Sequence, residues 1–185
     1  MRKDFGAKPW TYPQAVFIIG TYDEDGNADA MNAAWGGLSD TTELTLCLSS
    51  GHKTVKNILK KKEFTVSFGD ADHAIECDYL GLASGNSVPD KIAKAGFHIV
   101  KAEHVDAPLF EELPMALECR LKAYNAETGL LVADIINVNA DERILTDGTI
   151  DLSKWTPIIF DGVNHTYRAF GPVVGNAFSD GKKIG

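Results

Sequence analysis

Short runs of β-branched and aromatic residues alternate along this chain with tight polar turns, and this pattern constrains the fold more than any other feature. Residues 15–22 and 115–124 are two such runs, and turn-forming residues follow them at 23–27 and 125–129. The predicted strands cover residues 15–22, 28–35, 43–48, 64–68, 97–101, 115–124 and 130–138, with short further candidates at 155–160 and 167–170. Because hairpins rather than helical crossovers join most strands, the sequence favours an antiparallel barrel of about six or seven strands over a doubly wound parallel sheet.

Three short helices are predicted between the strands. The first places Val55 and Ile58 on one face and lysines on another, and Thr54 or Ser50 is expected to cap it. Pro and Gly residues delimit the third helix, as is usual at helix starts and ends. The second and third helices are predicted at residues 71–82 and 89–96.

The composition is that of a globular protein with an acidic surface. The chain has 185 residues, a formal net charge of -8 and a pI near 5.0. This length suits one domain over residues 1–185, and the negative charge argues against nucleic acid or an anionic membrane as a partner. Three widely spaced cysteines, a polar N-terminus and the lack of an apolar run near the ~18 residues of a membrane span predict a cytoplasmic protein.

The turn from residue 49 to residue 54 has the composition of a phosphate-binding site. It combines hydroxyls, a glycine, cations and the free N–H groups of a helix start. The residues suited to contact a phosphate are Ser49, Ser50, His52, Lys53 and Thr54. The alternative is an ordinary capped helix with a solvated lysine face. A nucleotide P-loop is rejected, because Leu46 stands where its first glycine belongs.

A second candidate site lies at residues 32–35, at the end of a predicted strand. Small residues beside an amide and an indole suit contact with a flat heteroaromatic ring. Gly36 and Gly37 are expected to end the strand and to let a ligand approach the backbone closely. The alternative is a plain strand in which Trp35 belongs to the core.

These features belong to an ordered set of motifs. The set comprises Asn-Ala-Ala-Trp at 32–35, Leu-Ser-Ser at 48–50 with His52 and Thr54, Phe-x-Val-x-Phe at 64–68, Gly-Leu-Ala-Ser-Gly at 81–85, the segment around Lys91, Tyr-Arg-Ala-Phe-Gly at 167–171, Gly-Asn-Ala-Phe at 175–178 and Gly-Lys at 181–182. In this order the motifs resemble the flavin reductase-like, FMN-binding split-barrel family, and its flavoredoxin branch most of all. The resemblance spans residues 10–182, almost the whole chain.

The resemblance implies a mainly β fold with short helices, a six-stranded antiparallel split barrel, and a homodimer with FMN at the subunit interface. The positions it assigns to the flavin ring and ribityl chain are Asn32, Ala33, Ala34 and Trp35. Those it assigns to the phosphate are Ser49, Ser50, His52, Lys53 and Thr54. Ser84 and Tyr167 would complete the site, with Tyr167 contributed by either subunit.

The function implied by the resemblance is an NAD(P)H-dependent FMN oxidoreductase that passes electrons to a second flavin or to a protein. No catalytic side chain is expected, because the flavin ring itself carries out the redox chemistry. Two alternatives stay open: a flavoredoxin-like electron carrier without NAD(P)H activity, and a non-enzymatic binder of flavin or haem. Phe170 and Pro172 depart from the family pattern near the face where an electron donor would dock.

A metal site is the weaker interpretation of another cluster. His73, Glu76 and Cys77 fall on one predicted helical face, but no fourth ligand follows at a usual spacing. We therefore predict no metal and interpret the segment as a surface helix with one buried cysteine. Nothing in the sequence around Cys77 indicates a depressed thiol pKa, so a structural role is expected.

Overall fold

The computed structural model describes residues 1–184, and within that range it contains thirteen strands and three α-helices. The strands are β1 (Phe17–Tyr22), β2 (Ala28–Ala33), β3 (Gly36–Asp40), β4 (Glu43–Cys47), β5 (Glu63–Phe68), β6 (Ile99–Lys101), β7 (Pro108–Phe110), β8 (Met115–Asn125), β9 (Leu130–Ala140), β10 (Leu145–Thr146), β11 (Thr149–Ile150), β12 (Ile158–Asp161) and β13 (Thr166–Ala169). The helices are α1 (Lys53–Lys61), α2 (Ala74–Leu82) and α3 (Lys91–Lys94), with 3-10 helices at Glu142–Ile144 and Asp180–Ile184. All three predicted helices are present, and the second and third are shorter than expected.

Seven strands form one antiparallel sheet in the order β2-β1-β5-β8-β9-β4-β3. In the β1–β2 hairpin Ile19 pairs with Met31, and Gly26 in the turn has a φ of 83°. Gly129, in the β8–β9 turn, has a φ of 73°. Both turns therefore use the positive φ that glycine adopts without a steric penalty. The predicted mainly β, antiparallel fold class is confirmed, with seven strands in the main sheet where six were implied.

The prediction for the glycine pair is wrong. Strand β2 already ends at Ala33, so the glycines do not end it. Gly36 and Gly37 are instead the first two residues of β3. A Cβ atom on Gly36 would lie 2.5 Å from Leu46 Cδ2 and 2.7 Å from Thr45 O. Glycine is therefore needed here for the close pairing of β3 with β4.

Strand β1 separates two hydrophobic layers, because successive residues of a strand point to opposite faces. Phe17 and Ile19 face a core that α1 covers with Val55 and Ile58, both fully buried. Ile18 faces a second cluster, formed with α2 and α3 on the other side of the strand. Each fully buried aliphatic side chain of this kind contributes about 1.5–3 kcal/mol to folding. Helices therefore cover both faces of β1: α1 lies on one face, and α2 and α3 lie on the other.

This packing brings the start of α1 and the end of α2 to the same strand, β2. Helix α1 begins after His52 and α2 ends before Ala83. Backbone polar groups at these two helix ends lack intrahelical partners. None of the helices in the described range combines the length and the apolar character that crossing a membrane requires.

Candidate functional site

A groove runs along β2 between the start of α1 and the end of α2. It consists of two adjoining cavities of about 200 Å³ and about 210 Å³, which share Asn32, Gly81 and Leu82 in their walls. The first cavity, called the cationic end below, is further lined by Met31, His52, Lys53, Thr54, Leu80, Ala83, Ser84, Gly85 and Lys91. The second cavity, called the aromatic end, is further lined by Ala33, Ala34, Asp78, Phe160 and Tyr167.

Helix α1 presents its N-terminus to the cationic end. The N-cap residue is His52, and its side chain caps no backbone N–H group, so the predicted cap by Ser50 or Thr54 is wrong. The first N–H groups of a helix have no intrahelical acceptor, and the helix dipole favours negative charge beside them. Lys53 adds a positive charge, and its Nζ atom lies 3.4 Å from Asp23 Oδ2. This corner of the groove is suited to an anion such as a phosphate.

Thr54 belongs to a buried polar network rather than to the helix cap. Its hydroxyl donates to Asp29 Oδ2 at 2.5 Å, and Asp29 Oδ1 lies 3.7 Å from Lys91 Nζ. The side chains of Asp29 and Lys91 are each only 3% exposed. Because an unpaired buried charge is very costly, the two groups depend on each other and on Thr54. The network ties β2, α1 and α3 together behind the groove.

Lys91 also satisfies the open end of α2. Its ammonium group donates to the carbonyl oxygen of Leu80 at 3.2 Å and to that of Ala83 at 2.8 Å. Burial lowers the pKa of Lys91, and the nearby carboxylate of Asp29 opposes that shift. The cation is therefore held by fixed acceptors in the wall of the cationic end.

Two glycines allow the end of α2 to approach β2. A Cβ atom on Gly81 would lie 3.1 Å from the Cβ atom of Asn32. A Cβ atom on Gly85 would clash with the carboxylate of Asp29, whose position Thr54 fixes. The two glycines of the Gly-Leu-Ala-Ser-Gly segment are therefore required for the close packing of α2 against β2 beside the groove.

Small and flat side chains shape the aromatic end. Ala33 and Ala34 are half-buried at the end of β2. The rings of Phe160 and Tyr167 have centroids 6.2 Å apart and are tilted by 54°. Tyr167 donates its hydroxyl hydrogen to Asp78 Oδ1 at 2.7 Å. Such walls suit a flat, mostly apolar ring system whose edge makes a few hydrogen bonds.

Most of the predicted site residues line the groove. Those in its walls are Asn32, Ala33, Ala34, His52, Lys53, Thr54, Ser84 and Tyr167. Ser49, Ser50 and Trp35 are exposed and line neither cavity. The Ser49 hydroxyl accepts from the Gly51 N–H group at 3.4 Å. The alternative that Trp35 is a core residue is wrong, because 52% of it is exposed.

Three charged groups of the groove are missing from the sequence-based site. Asp29 and Lys91 form the buried pair, and Asp78 lines the aromatic end. Asp29 carries one available signal, a carboxylate within a strand of small apolar residues. The segment around Lys91 belongs to the motif set, but the sequence near Lys91 or Asp78 does not mark either one as a site residue. Only the packing of α2 and α3 shows where they lie.

The cluster weighed as a metal site has another arrangement. His73 Nδ1 lies 2.8 Å from Asp70 Oδ1, and the Asp70 carboxylate also accepts from the Trp155 indole at 3.2 Å. Within residues 1–184, no group of three or more His, Cys, Asp or Glu side chains is placed to hold a metal ion. Burial, together with Asp70, raises the pKa of the Cys77 thiol to about 12, which agrees with a structural role.

The fold has clear counterparts among known proteins. Residues 10–156 match the flavin reductase like domain, and the chain belongs to that family. The chain superimposes on flavoredoxin of Desulfovibrio vulgaris (Miyazaki F) with a TM-score of 0.93 and 36% identity, covering 98% of this chain and 100% of that one. Flavoredoxin from Methanosarcina acetivorans gives a TM-score of 0.89 at 24% identity, covering 100% and 99% of the two chains.

Two further matches cover less of this chain. An FMN-binding domain of a flavin reductases-like enzyme from Shewanella baltica has a TM-score of 0.80 at 17% identity, covering 88% of this chain and 89% of that one. An uncharacterised protein from Aeropyrum pernix is 29% identical over 112 residues. That alignment covers 60% of this chain and 42% of the length of the Aeropyrum protein.

Proposed function

We propose that this chain binds FMN in the groove, with the phosphate at the cationic end and the isoalloxazine ring at the aromatic end. The observation that carries the proposal is the polarity of the groove, which has an uncapped helix start and two lysines at one end and flat, apolar walls at the other. Its two adjoining cavities together fall in the usual range for small-molecule sites, about 300–1,000 Å³. Membership of the flavin reductase-like family supports the same ligand.

The residues present fit each part of this ligand. The α1 N–H groups, Lys53 and the Ser84 hydroxyl would hold the phosphate, while Lys91 supports this wall from behind. The backbone of Ala33 and Ala34 would lie along the ring. Bound FMN would supply the redox chemistry, by accepting and donating electrons. The protein would bind the ring, orient it and set its reduction potential.

A comparison of FMN with riboflavin tests the orientation. FMN is expected to bind more tightly than riboflavin, because riboflavin lacks the phosphate. The K53A/T54A double variant should weaken FMN binding by a few kcal/mol, because it removes the Lys53 cation, whose hydrogen bond to a charged group contributes roughly 1.5–3 kcal/mol, and the Thr54 hydroxyl that holds Asp29 in the wall. Flavin-fluorescence titration measures both affinities.

The matched control for this test is K60A, on the same helix. Lys60 is exposed and pairs with Glu24 rather than lining the groove. The K60A variant should keep the preference for FMN over riboflavin, whereas the K53A/T54A variant should lose it. Equal affinities of the wild type for FMN and riboflavin would contradict the proposed orientation.

For the activity, we propose an NAD(P)H-dependent flavin reductase that passes electrons to a second flavin or to a redox protein. Family membership supports a redox role for the bound flavin. The test is oxidation of NADH or NADPH by the purified protein with added FMN. Turnover well above the uncatalysed rate is expected, and no turnover with either nucleotide would reject this activity.

A second candidate is an electron carrier without NAD(P)H activity. It is favoured by the 36% identity to a flavoredoxin over nearly the full length of both chains. A protein purified yellow with tightly bound FMN, but without nicotinamide turnover, would select the carrier. A haem spectrum, or failure to bind any flavin, would reject both candidates.

We also propose that the protein is a homodimer. An apolar cavity of about 660 Å³ lies on the main sheet and is separate from the groove. Leu38, Ile136 and Val138 line it and are 70%, 40% and 50% exposed. A second copy of the chain would cover these side chains, in keeping with the apolar character of obligate interfaces. Sedimentation equilibrium should give twice the chain mass, and L38D should shift the distribution towards the monomer.

A further inference from the structure

The aromatic end of the groove contains a carboxylate whose role the proposed function leaves open. Within the described residues, Asp78 is the one acidic side chain that lines this cavity. It lies on α2, one turn before Gly81 and Leu82, which form the junction of the two cavities. Any flat ring bound against Ala33 would therefore have a carboxylate at its edge.

The orientation of Asp78 is fixed by neutral donors. The Tyr167 hydroxyl donates to Asp78 Oδ1 at 2.7 Å. Asn32 Nδ2 in turn lies 3.4 Å from the Tyr167 hydroxyl and donates to the Cys77 carbonyl oxygen at 3.0 Å. A chain of hydrogen bonds thus runs from Asn32 on β2 through Tyr167 on β13 to the carboxylate on α2.

Among the described residues, no cation compensates this carboxylate. Across residues 1–184, Asp78 forms no ion pair, whereas Asp29 at the other end of the groove has Lys91. Burial, with the hydrogen bond to Asp78 as a second cause, raises the pKa of Tyr167 well above its usual value, so the hydroxyl stays protonated and remains a donor. The groove is therefore polarised along its length, with cations at one end and a negative charge at the other.

We propose that Asp78 lowers the midpoint potential of the FMN bound in the groove, and that Tyr167 is the positioning residue that aims its carboxylate at the ring. This inference rests on the proposed function. Reduction by two electrons with uptake of one proton leaves one additional negative charge on the ring, and a nearby carboxylate opposes that charge. The interaction is strong because a groove covered by a flat ligand has a lower effective dielectric constant than water.

The alternative role for Asp78 is mechanical. Through Tyr167 it could serve only to attach β13 to α2, leaving the electronic properties of the ligand unchanged. Such a role would reduce stability in a variant without moving the potential. The midpoint potential therefore separates the two roles, and the thermal midpoint of unfolding does not.

The test compares D78N with wild type, using FMN-loaded protein and reductive titration against a reference dye. Asn keeps the shape of the side chain and can still accept from Tyr167, so only the charge changes. The midpoint potential of FMN in D78N should be higher than in the wild type by at least about 30 mV. For a two-electron couple this shift corresponds to a tenfold change in the equilibrium constant of reduction. Sulfite, an anion that adds to the flavin ring, should also bind D78N more tightly, seen as bleaching of the visible flavin band.

The matched control is E76Q, which removes one negative charge from the same helix. Because Glu76 lines neither cavity, the midpoint potential of FMN bound to E76Q should stay close to that of the wild type. A shift in E76Q as large as that in D78N would show a general effect of net charge and would overturn the proposal.

A third variant tests the positioning role of Tyr167. In Y167F the carboxylate loses the hydroxyl donor that holds it toward the ring, so the potential should rise above that of the wild type, by less than in D78N. Shifts in the same direction in D78N and Y167F support the pair. An unchanged potential in D78N, with FMN still bound, overturns this inference alone. Failure of the wild type to bind FMN overturns the proposed function and, with it, this inference.

Discussion

The two ends of the groove are built in different ways. At the cationic end Thr54, Asp29 and Lys91 are buried: Thr54 donates a hydrogen bond to Asp29, and Asp29 forms an ion pair with Lys91. Helices α1, α2 and α3 all contribute to this end. At the aromatic end Asp78 and Tyr167 are half-buried, and part of the wall comes from the β12–β13 hairpin. That hairpin is a separate two-stranded sheet, which single bridges at Ala15–Ile159 and Asp70–Pro157 join to the rest.

The difference suggests a division of roles. Charges at the cationic end are part of the folded core, so a change there should affect stability and ligand affinity together. Charges at the aromatic end are more accessible, so a change there should alter the properties of the bound ligand with less effect on folding. The predictions below test this division, from the largest expected effect to the smallest.

The first prediction concerns the buried cation. K91M leaves the Asp29 carboxylate unpaired and removes the donor to Leu80 and Ala83. Removing one partner of a buried ion pair costs about 3–5 kcal/mol, so the free energy of unfolding in urea should fall by that amount. The control K94A breaks only the exposed pair with Asp90 and should cost less than about 1 kcal/mol.

A double variant sharpens this result. In D29N/K91M no buried charge is left unpaired, so part of the lost stability should return. If K91M were as stable as K94A, the cationic end would not be part of the folded core, and the proposed division would be wrong.

The second prediction concerns the glycine beside Asp29. In G85A the new methyl group would clash with the buried carboxylate, which has little room to move because Thr54 holds it. Overpacking of this kind costs typically 1–3 kcal/mol, and FMN affinity should fall as well. A methyl group added at Gly171 would meet nothing within 4 Å, so G171A is the control and should have little effect. Thermal unfolding with and without FMN gives both quantities.

The third prediction concerns acid sensitivity at the aromatic end. Hydrogen bonds from Asn164, and also from Tyr12, hold the pKa of Asp161 well below its usual value. The unfolded value is about 3.9, so the stabilisation is complete above that pH and is lost as the pH falls through the depressed folded value. The protection factor of the Val163 amide, whose N–H group donates to Asp161, should therefore fall in acid relative to its value at neutral pH.

The control for this effect is D161N. In D161N the protection factor at Val163 should be lower at neutral pH and should lose its dependence on acid. Amides of β1, in the centre of the main sheet, should keep their protection over the same range of pH. Loss of protection in acid that begins in β1 would contradict the idea that the aromatic end is the less stable region.

The sequence predicts the strands of the main sheet best where runs of β-branched, aromatic and other apolar residues are bounded by turns. The runs at 15–22, 43–48, 64–68, 115–124 and 130–138 all contain strands. The run at 43–48 alternates with period two, whereas the run at 15–22 is buried on both faces. Strand β3 is missed, since Gly36-Gly37-Leu38-Ser39-Asp40 has no alternation and its glycines serve the close approach to β4. Short strands such as β7 and β10 are too brief to carry a pattern.

The sequence predicts several residues that the structure brings together in the groove, but it misses the charges that support them. Residues close together in the chain, from His52 to Thr54, are recognised because a helix start makes them neighbours. The partner of Thr54 is Asp29, 25 positions away, and only the pairing of β2 with the helices brings the two together. Burial of Lys91 cannot be inferred from a segment whose composition is typical of an exposed helix.

The most direct test of the central claim is a crystal structure of the protein with FMN. The account predicts the phosphate at the start of α1, within hydrogen-bond distance of the Lys53 N–H group or side chain, and the ring between Ala33 and Tyr167 with Asp78 at its edge. FMN in the reverse orientation, or bound outside the groove along β2, would contradict it.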